Sequence, residues 1–323
     1  MYFLNPLKIL LFGSGERAVH CVDALLQEPL FHVVGIVLEP GMENDVFAKH
    51  VAHTAVQSLK TFYPASFKPG SDGMMSDGMQ MLEQLNPDLA VLCVYEKIVS
   101  SSFLNFFRQR KGCINLHGGK VPEYRGSSVL RWQIIDGAKT GAFTILEVDE
   151  QMDTSFILGE YQYPITETTT IQELIALEHT VFPKLLVETI KSIHNGTVQK
   201  RPQQGTACYW HKRKEEDRHI VWEMMHADAV LRLIRAEGHP YPGAFCFVDV
   251  ANGKNAKKLR VGEASHTTDQ LYKGTPGRVA RSFKDGSVVV IAKDKGILIK
   301  KAGFDGEPSV SAGDILNFRM QLC

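Results

Sequence analysis

The sequence lacks an excess of either charge: lysine plus arginine number 36, and aspartate plus glutamate also number 36, in 323 residues. A balanced chain creates no overall field that attracts nucleic acid or an anionic membrane surface, although local basic patches stay open. The sequence also lacks any run of about 18 consecutive apolar residues, and its start lacks a basic segment followed by a long apolar stretch. These absences predict a cytoplasmic protein with no membrane partner.

The six cysteines form no CxxC pair and have no spacing typical of zinc ligands. Most of them stand in apolar runs, where buried free thiols are common, and this pattern fits a reducing compartment. We therefore expect no metal site. The composition is otherwise that of an ordinary globular protein, with 44% apolar and 22% charged residues, in a chain long enough for two domains.

The first recognisable pattern along the chain is a strand, a helix and a second strand. Residues 7–12 and 31–38 are apolar runs typical of buried strands, and the amphipathic segment 17–27 lies between them. This spacing predicts a βαβ unit with a parallel sheet. Gly13-Ser14-Gly15 fits either a tight strand-to-helix turn or a dinucleotide-binding loop, in which Ala18 would replace the third glycine. The pattern further predicts helices over 43–61, 77–85, 100–108, 127–136 and 170–195, and strands over 89–94, 141–148 and 156–163.

The composition changes at residues 200–205, which we interpret as a linker. We predict an α/β, Rossmann-like parallel-sheet domain over 1–200 and a smaller β-rich domain over 206–323. The second domain is expected to resemble an open barrel, because a short helix over 227–236 is followed by five short strands separated by turns. The predicted strands are 244–250, 258–264, 277–282, 287–292 and 296–301.

Residues 111–126 carry the densest set of chemistry-bearing and turn-forming residues. An apolar run ends in Asn115 and His117, which point to the same face of a strand because side chains alternate. Glycines and a proline follow, and these hold backbone in turns. An amide beside an imidazole at a strand end suggests acyl-group chemistry, whereas hydrogen-bonded turn residues are the alternative interpretation.

Asp153 stands in an acidic turn after a predicted strand, where a carboxylate can approach His117. Acyl transfer to an amine requires a group that takes the amine proton, a group that stabilises the oxyanion and a group that orients the base. An imidazole suits proton transfer, the Asn115 amide suits the oxyanion, and a carboxylate can orient the imidazole or relay the proton.

Four stretches of the chain resemble the formyltransferase family, which uses 10-formyltetrahydrofolate. They are residues 114–126, Trp132, residues 141–145 and residues 148–154. The family includes enzymes that act on methionyl-tRNA, on glycinamide ribonucleotide and on nucleotide-linked amino sugars. Carried over by position, its catalytic Asn, His and Asp match Asn115, His117 and Asp153.

The resemblance extends beyond the first domain. Residues 210–222, 239–245 and 274–277 resemble the C-terminal domain shared by the tRNA and sugar enzymes. The family also implies that the pterin of the folate lies against 93–98 and against the acidic turn. The residues expected to contact the folate, of which the first two could equally close the strand, are Tyr95, Ile98, Val148 and Asp149.

Departures from the family pattern favour a small acceptor. The loop after the histidine reads Gly-Gly-Lys-Val-Pro122 where the family usually has Ser-Leu-Leu-Pro. Residues 39–49 are short and acidic where the tRNA enzymes carry a long basic insertion. We therefore predict formyl transfer to the amine of a nucleotide-linked amino sugar. Arg213 is expected to contact the pyrophosphate. The expected acceptor contacts are Lys120, Tyr124, Arg125, Arg213 and Trp222.

Other functions stay open at this point. A methionyl-tRNA formyltransferase would use the basic clusters at 211–214 and 254–260, which could equally be solvated faces. A 10-formyltetrahydrofolate hydrolase would use water as the acceptor, and a non-catalytic folate- or nucleic-acid-binding module would use no acceptor. The sugar enzymes are often dimers, and this analogy leaves both a monomer and a homodimer open.

Overall fold

The structure is a computed structural model that describes residues 5–53, 59–68, 74–95, 97, 100–249, 256–318 and 320–323. It divides into two compact units. The first contains residues 1–126, 140–163 and 175–210, and the second contains residues 127–139, 164–174 and 211–323. The domain limits of 1–200 and 206–323 stay a prediction.

Strands and helices alternate along the first 117 residues. They are β1 (Leu7–Gly13), α1 (Gly15–Leu26), β2 (Phe31–Val37), α2 (Val46–His53), β3 (Thr61–Phe62), α3 (Asp77–Leu85), β4 (Leu89–Cys93), α4 (Ser101–Arg108) and β5 (Cys113–His117). The chain continues through β6 (Arg125–Gly126), α5 (Val129–Asp136), β7 (Thr140–Glu147), β8 (Ile157–Pro164), α6 (Ile171–His194) and β9 (Tyr209–Trp210).

A seven-stranded sheet in the order β3-β2-β1-β4-β5-β7-β8 forms the centre of the first unit. Strands β1 to β5 pair in parallel, whereas β7 runs antiparallel to β5. The predicted α/β class is confirmed. Asn115 on β5 pairs with Leu92 on β4 and with Leu146 on β7, so the candidate site stands in the middle of the sheet. Apolar side chains fill this unit because parallel strands are covered on both faces.

The helix predicted over 43–61 is wrong in its extent. Helix α2 is described over Val46–His53, and Thr61 and Phe62 form β3 beside Ile36 and Val37 at the sheet edge. A β-branched and an aromatic residue fit a pleated edge better than a helix end. Residues 54–58 lie outside the described residues.

The turn between β1 and α1 binds one of the protein's own carboxylates. The N–H of Gly15 donates to Asp45 Oδ1 over 2.9 Å, and a Cβ at Gly13 would lie 2.4 Å from the carbonyl oxygen of Cys93. An acid therefore occupies the place at this helix start that a phosphate would need. The tight-turn interpretation describes the observed geometry.

The second unit is built on an antiparallel sheet. Its elements after residue 211 are the 3₁₀ turn Glu216–Arg218, α7 (Ala227–Glu237), β10 (Ala244–Asp249), β11 (Ala256–His266), β12 (Val279–Ser282), β13 (Val288–Ile291), β14 (Gly296–Phe304), β15 (Val310–Ser311) and α8 (Ala312–Ile315). The sheet order is β10-β11-β14-β13-β12, with β15 on β14. Leu322 and Gln321 bridge to Val248 and Arg278, and the β-rich prediction is confirmed. Across the ranges described, no helix is long and apolar enough to cross a membrane.

Candidate active site

Three side chains from two segments of the first unit converge. Asn115 and His117 leave the same face of β5, and Asp153 reaches them from the turn between β7 and β8. Asn115 Nδ2 donates to Asp153 Oδ1 over 3.4 Å, and His117 Nδ1 lies 3.6 Å from the same oxygen. The side chains of His117 and Asp153 are only 6% and 7% exposed. The structure thus brings an amide, an imidazole and a carboxylate together in a shielded place.

The second nitrogen of His117 fixes the tautomer of the ring. Nε2 lies 2.6 Å from the carbonyl oxygen of Tyr124, which can only accept a hydrogen bond, so Nε2 carries the proton. In the neutral ring the lone pair is therefore on Nδ1, which faces Asp153. This nitrogen can accept a proton beside a carboxylate that stabilises the charged ring.

Asp153 is held in an uncommon backbone conformation. Its φ is +56°, in the left-handed region that residues other than glycine rarely adopt. The N–H of Gly126 donates to Asp153 Oδ2 over 2.9 Å, so both carboxylate oxygens have partners. Such conformations persist where surrounding contacts fix them and are common in active sites.

Gln203 supplies further contacts to this turn and was not found from the sequence. Its Nε2 donates to the carbonyl oxygens of Asp153 and Ser155, each over 2.8 Å. Arg125 in turn donates to Gln203 Oε1 from Nε over 3.0 Å and from Nη2 over 2.7 Å. The segment that we interpreted as a linker therefore holds the backbone of the candidate acid.

A two-stranded parallel pair, β6 with β9, joins Gly126 to Trp210. A Cβ at Gly126 would lie 2.3 Å from the carbonyl oxygen of Trp210, and its φ is +96°, so this position requires glycine. Tyr124 stacks on Trp210 with the ring centroids 5.6 Å apart. The loop that positions the N–H for Asp153 is thus fixed from its far side.

A buried ion pair packs beside the start of the same loop. Arg17 Nη2 lies 2.6 Å from Glu178 Oε1, and a Cβ at Gly118 would approach that oxygen to 3.3 Å. Burial opposes the charge of Arg17, but the Glu178 carboxylate raises the pKa of Arg17 above its ordinary value. Arg17 Nη1 also donates to the carbonyl oxygen of Leu116 over 3.4 Å, next to His117. The pair therefore supports the end of β5.

A cavity of about 160 Å³ opens beside the three side chains. Tyr95, Val148 and Asp149 line it together with Asn115 and Asp153. Burial raises the pKa of Tyr95 to about 12, so the phenol stays neutral at physiological pH. Whole small molecules typically occupy about 300–1,000 Å³, so this cavity suits one part of a ligand, such as a ring system.

Three of the four expected folate contacts thus lie in one place. The fourth, Ile98, lies outside the described residues. Asp149 also has a local role, because its Oδ1 accepts hydrogen bonds from Gln151 N over 2.9 Å and from Thr154 Oγ1 over 3.1 Å. It thereby shapes the turn that carries Asp153.

The expected acceptor contacts of the first unit follow the loop after His117. Lys120 Nζ lies 3.2 Å from Glu123 Oε1, and Tyr124 is buried. Arg125 Nη1 donates to the hydroxyl of Tyr209 over 3.2 Å as well as contacting Gln203. Each of these residues therefore has contacts within the first unit, and their contact with an acceptor stays a prediction.

Arg213 and Trp222 belong to the second unit and are buried there. The Arg213 guanidinium donates from Nε to Glu237 Oε1 over 2.6 Å and from Nη2 to the carbonyl oxygen of Asp217. Glu237 is fully buried, and a buried carboxylate is stable only when cations pair with it. Arg131 also pairs with it, because its Nη1 lies 3.1 Å from Glu237 Oε2. Trp222 is fully buried in an apolar core. The structure therefore presents neither residue to a ligand, and their predicted nucleotide contacts have no structural support.

Metal chemistry has no candidate ligands in the part of the chain that the structure describes: there, no three His, Cys, Asp or Glu side chains are grouped so that they could hold an ion. Asn115, His117 and Asp153, together with Gln203, supply amide, imidazole and carboxylate groups. These groups suit proton transfer and oxyanion stabilisation.

Two family profiles match the chain in succession. The profile described as "Formyl transferase" matches residues 7–190, and the profile described as "Formyl transferase, C-terminal domain" matches residues 212–319. The first match includes Asn115, His117 and Asp153.

Individual proteins agree with these profiles. A methionyl-tRNA formyltransferase from Ruminiclostridium cellulolyticum is 28% identical over 317 residues, which cover 96% of this chain and 96% of that protein. An N-formyltransferase from Helicobacter canadensis, in complex with folinic acid and dTDP-3-aminofucose, has a TM-score of 0.60 at 15% identity and covers 91% of this chain and 98% of its own.

HypX from Aquifex aeolicus, in complex with tetrahydrofolic acid, has a TM-score of 0.59 at 16% identity. The match covers 96% of this chain but 46% of HypX, so the present chain spans about half the length of that protein. At such low identities the two structural matches establish the fold alone.

Proposed function

Because this chain belongs to the formyl transferase family, it is a formyltransferase, and we propose that it moves a formyl group from 10-formyltetrahydrofolate to the primary amine of a nucleotide-linked amino sugar. The observation that carries the chemistry is the convergence of Asn115 and His117 on Asp153 Oδ1, within 3.4 and 3.6 Å. The acceptor is the finer part of the proposal and rests on separate arguments.

The cavity beside Asn115 supports a folate donor. Its lining of Tyr95, Val148 and Asp149 offers a neutral phenol, an apolar wall and the backbone groups of a turn, which suit a flat polar ring such as a pterin. Folinic acid and tetrahydrofolic acid occur in the Helicobacter canadensis and HypX structures named above. We therefore assign the pterin to this cavity.

In the proposed mechanism, the Asn115 amide uses one N–H on Asp153 and turns the other toward the oxyanion that forms when the amine attacks the formyl carbon. Such a donor is typically worth about 3–4 kcal/mol to the transition state. Protonated His117 Nδ1 can donate to the same oxyanion, because Nε2 is occupied by Tyr124.

Asp153 takes the proton that the attacking amine loses, directly or through water. The bond from the formyl carbon to the new nitrogen forms, the bond to the folate nitrogen breaks, and that nitrogen receives the proton. The balance requires no metal and no redox partner. Since Asp153 accepts from Gly126 and faces His117, its carboxylate is oriented before the substrates bind.

The acceptor assignment rests on the charge of the segment after β2. Glu39, Glu43 and Asp45 stand there, and Asp45 binds the N–H groups of Gly15 and Phe47 over 2.9 and 2.8 Å. Carboxylates repel nucleic-acid phosphates, which proteins usually contact with clustered lysine and arginine. This supports a small acceptor.

Methionyl-tRNA formyltransferase is the second candidate. The 28% identity with the Ruminiclostridium cellulolyticum enzyme, over nearly the whole of both chains, favours it. It predicts tRNA binding that weakens steeply with salt, because each phosphate contact releases counterions. The two candidates share the donor and the three catalytic groups, and differ in the acceptor.

One experiment separates them. The protein is incubated with 10-formyltetrahydrofolate and either a panel of UDP-, dTDP- and GDP-linked amino sugars or methionyl initiator tRNA, and each acceptor is analysed by mass spectrometry for an added formyl group. A formylated sugar with unmodified tRNA supports the proposal. Formylated tRNA alone would contradict the acceptor assignment, and formate release without any acceptor would indicate a hydrolase. Asp153→Asn is the inactive control.

A further inference from the structure

A cavity larger than the one beside Asn115 is lined only by residues of the second unit and has no part in the proposed reaction. Its volume is about 650 Å³. It is lined by the end of α5 with the loop that follows, by the segment that leads into α6, by α7 and by β11. This volume falls in the range of about 300–1,000 Å³ that is typical of small-molecule sites.

Two arginines on α7 face this cavity. Arg232 and Arg235 are three residues apart and therefore share one side of the helix. Arg232 Nε donates to the carbonyl oxygen of Ile135 over 2.8 Å, and Arg235 Nε donates to that of Thr169 over 3.1 Å. Each guanidinium is thus anchored at Nε, which keeps its outer two nitrogens in a fixed plane.

The two cations are not neutralised by an ion pair. Among the described residues, no carboxylate lies within 4.0 Å of either guanidinium. Burial lowers the pKa of Arg235, and the charge of Arg232 adds to this effect, whereas Glu167 opposes it. A partly buried pair of like charges is costly unless an anion is shared between them.

The remaining charged residues of the lining leave a positive balance. Asp228 is paired with Lys295 at 3.3 Å and with His266 at 3.5 Å, and Glu263 is paired with Lys300 at 3.1 Å. Glu167 is thus the acid left to face the arginines, while Lys139 adds an exposed cation. The polar part of the cavity therefore favours an anion.

The lining also has an apolar part. Ile134, Ile165, Ile171, Leu231 and Ile234 are each at most 5% exposed and contribute to its walls. An inorganic anion would leave most of this surface without contact. A ligand that carries an anionic group on an apolar or aromatic body would use both parts of the lining.

We infer that this cavity binds an organic phosphate, whose phosphoryl group lies between Arg232 and Arg235 and whose body packs against the apolar part of the lining. One guanidinium can donate two parallel hydrogen bonds to the oxygens of a phosphate. Two arginines that are each held at Nε therefore suit a phosphoryl group better than a flexible lysine would. The site is additional to formyl transfer, since every residue that lines it belongs to the second unit.

Isothermal titration calorimetry on the full chain tests the inference with adenosine and uridine monophosphates, their uncharged nucleosides and inorganic phosphate. We expect saturable binding of at least one monophosphate, with weaker binding of its nucleoside and of inorganic phosphate. Absence of saturable binding for both monophosphates would overturn the inference. So would equal affinity for the nucleoside, or for inorganic phosphate alone.

Variants locate the binding. Arg232→Gln with Arg235→Gln should weaken monophosphate binding about tenfold or more, because two charge-assisted contacts are lost. Arg278→Gln, which removes one exposed arginine of the same unit away from the cavity, should leave the affinity unchanged. The same affinity in the double variant as in the original chain would contradict the site.

The arginines also tie α7 to neighbouring carbonyls, so the double variant can lose stability. Hydrogen exchange on the unaltered chain avoids this difficulty: a bound monophosphate should slow exchange in 165–172 and in α7. Protection confined to 115–126 and 147–153 would instead place the nucleotide in the active site and overturn the inference. Asp153 does not line this cavity, so Asp153→Asn should bind the monophosphate with the same affinity as the original chain.

Discussion

The imidazole of His117 donates a hydrogen bond from Nε2 to the backbone carbonyl oxygen of Tyr124, over 2.6 Å. The ring is thereby fixed in one tautomer, with Nδ1 toward Asp153. Tyr124 is itself stacked on Trp210, so the ring orientation depends on the segment that follows α6.

Asp153→Asn should abolish most of the turnover. The amide keeps the size of the side chain, and its oxygen can still accept the hydrogen bond from the N–H of Gly126. It cannot take the amine proton, and without a negative charge it does not stabilise a protonated His117. We expect kcat to fall by about 10²–10⁴-fold, the usual contribution of a positioned acid or base. Glu223→Gln, an exposed acid of the second unit, is the control. Unchanged turnover in Asp153→Asn would refute the assignment.

Gln203→Glu should lower kcat with a smaller effect on folding. Glutamate keeps the contact with Arg125 but loses the N–H groups that bind the carbonyls of Asp153 and Ser155. Misplacement of a catalytic group can cost about 100-fold in rate, and we expect a loss of about 10- to 100-fold.

The neighbouring Gln204 provides a matched control because it is exposed. Gln204→Glu should leave kcat unchanged. Because Gln203 acts through Asp153, its substitution should lower kcat more than it raises KM, and steady-state kinetics with both substrates measure this division. Equal kcat values in the two variants would mean that Gln203 has no positioning role.

Gly126→Ala should destabilise the chain more than Gly112→Ala does. Both glycines have similar backbone angles, with φ of +96° and +92°, so both substitutions carry about 1–2 kcal/mol of backbone strain. A Cβ at Gly126 would also collide with Trp210, whereas nothing lies within 4 Å of one at Gly112. Denaturant unfolding of both variants measures the difference, and similar losses would contradict the described packing.

The stability contributed by Glu215 should depend on acid pH. Its hydrogen bond to Lys258 lowers the pKa of Glu215 from 4.5 to about 2, and Arg260 adds to the same effect. The ionised Glu215 carboxylate therefore stabilises the folded chain fully above about pH 4.5. This contribution to the free energy of unfolding is lost as the pH falls toward 2 and the carboxylate is protonated.

Glu215→Gln should accordingly lower Tm relative to the original chain near pH 6, and the gap should narrow between pH 4.5 and 2. Scanning calorimetry across this range measures it. Glu307→Gln, which alters an exposed acid of the same unit, should show no comparable pH-dependent gap. A constant gap for Glu215→Gln would mean that its partners do not stabilise the charged form.

Local patterns predicted the fold class, and the resemblance of several motifs predicted the family; both predictions are confirmed. Asn115 and His117 could be placed on one face of β5 because side-chain alternation is a local property. The position of Asp153 after a predicted strand indicated that it could approach His117. The resemblance to the family then matched it to the catalytic acid.

The contacts that the sequence did not reveal all join distant segments. Gln203 reaches Asp153 across 50 positions and Arg125 across 78. Strands β6 and β9 have two residues each, which is too short for any periodicity. Arg213 was predicted to contact a ligand because it stands in a basic segment, 211–214, that looks exposed in the sequence. The sequence does not show that Arg213 is buried against Glu237.

The order of these contacts along the chain has a consequence for synthesis on the ribosome. Asn115, His117 and Asp153 emerge before Gln203 and before β9, yet the orientation of Asp153 depends on both. A nascent chain that has reached residue 200 contains the three proposed catalytic side chains without Gln203 and β9, which hold Asp153 and its loop in place. Activity should therefore appear only after residue 210 has left the exit tunnel, so a partly made enzyme does not consume formyl donor.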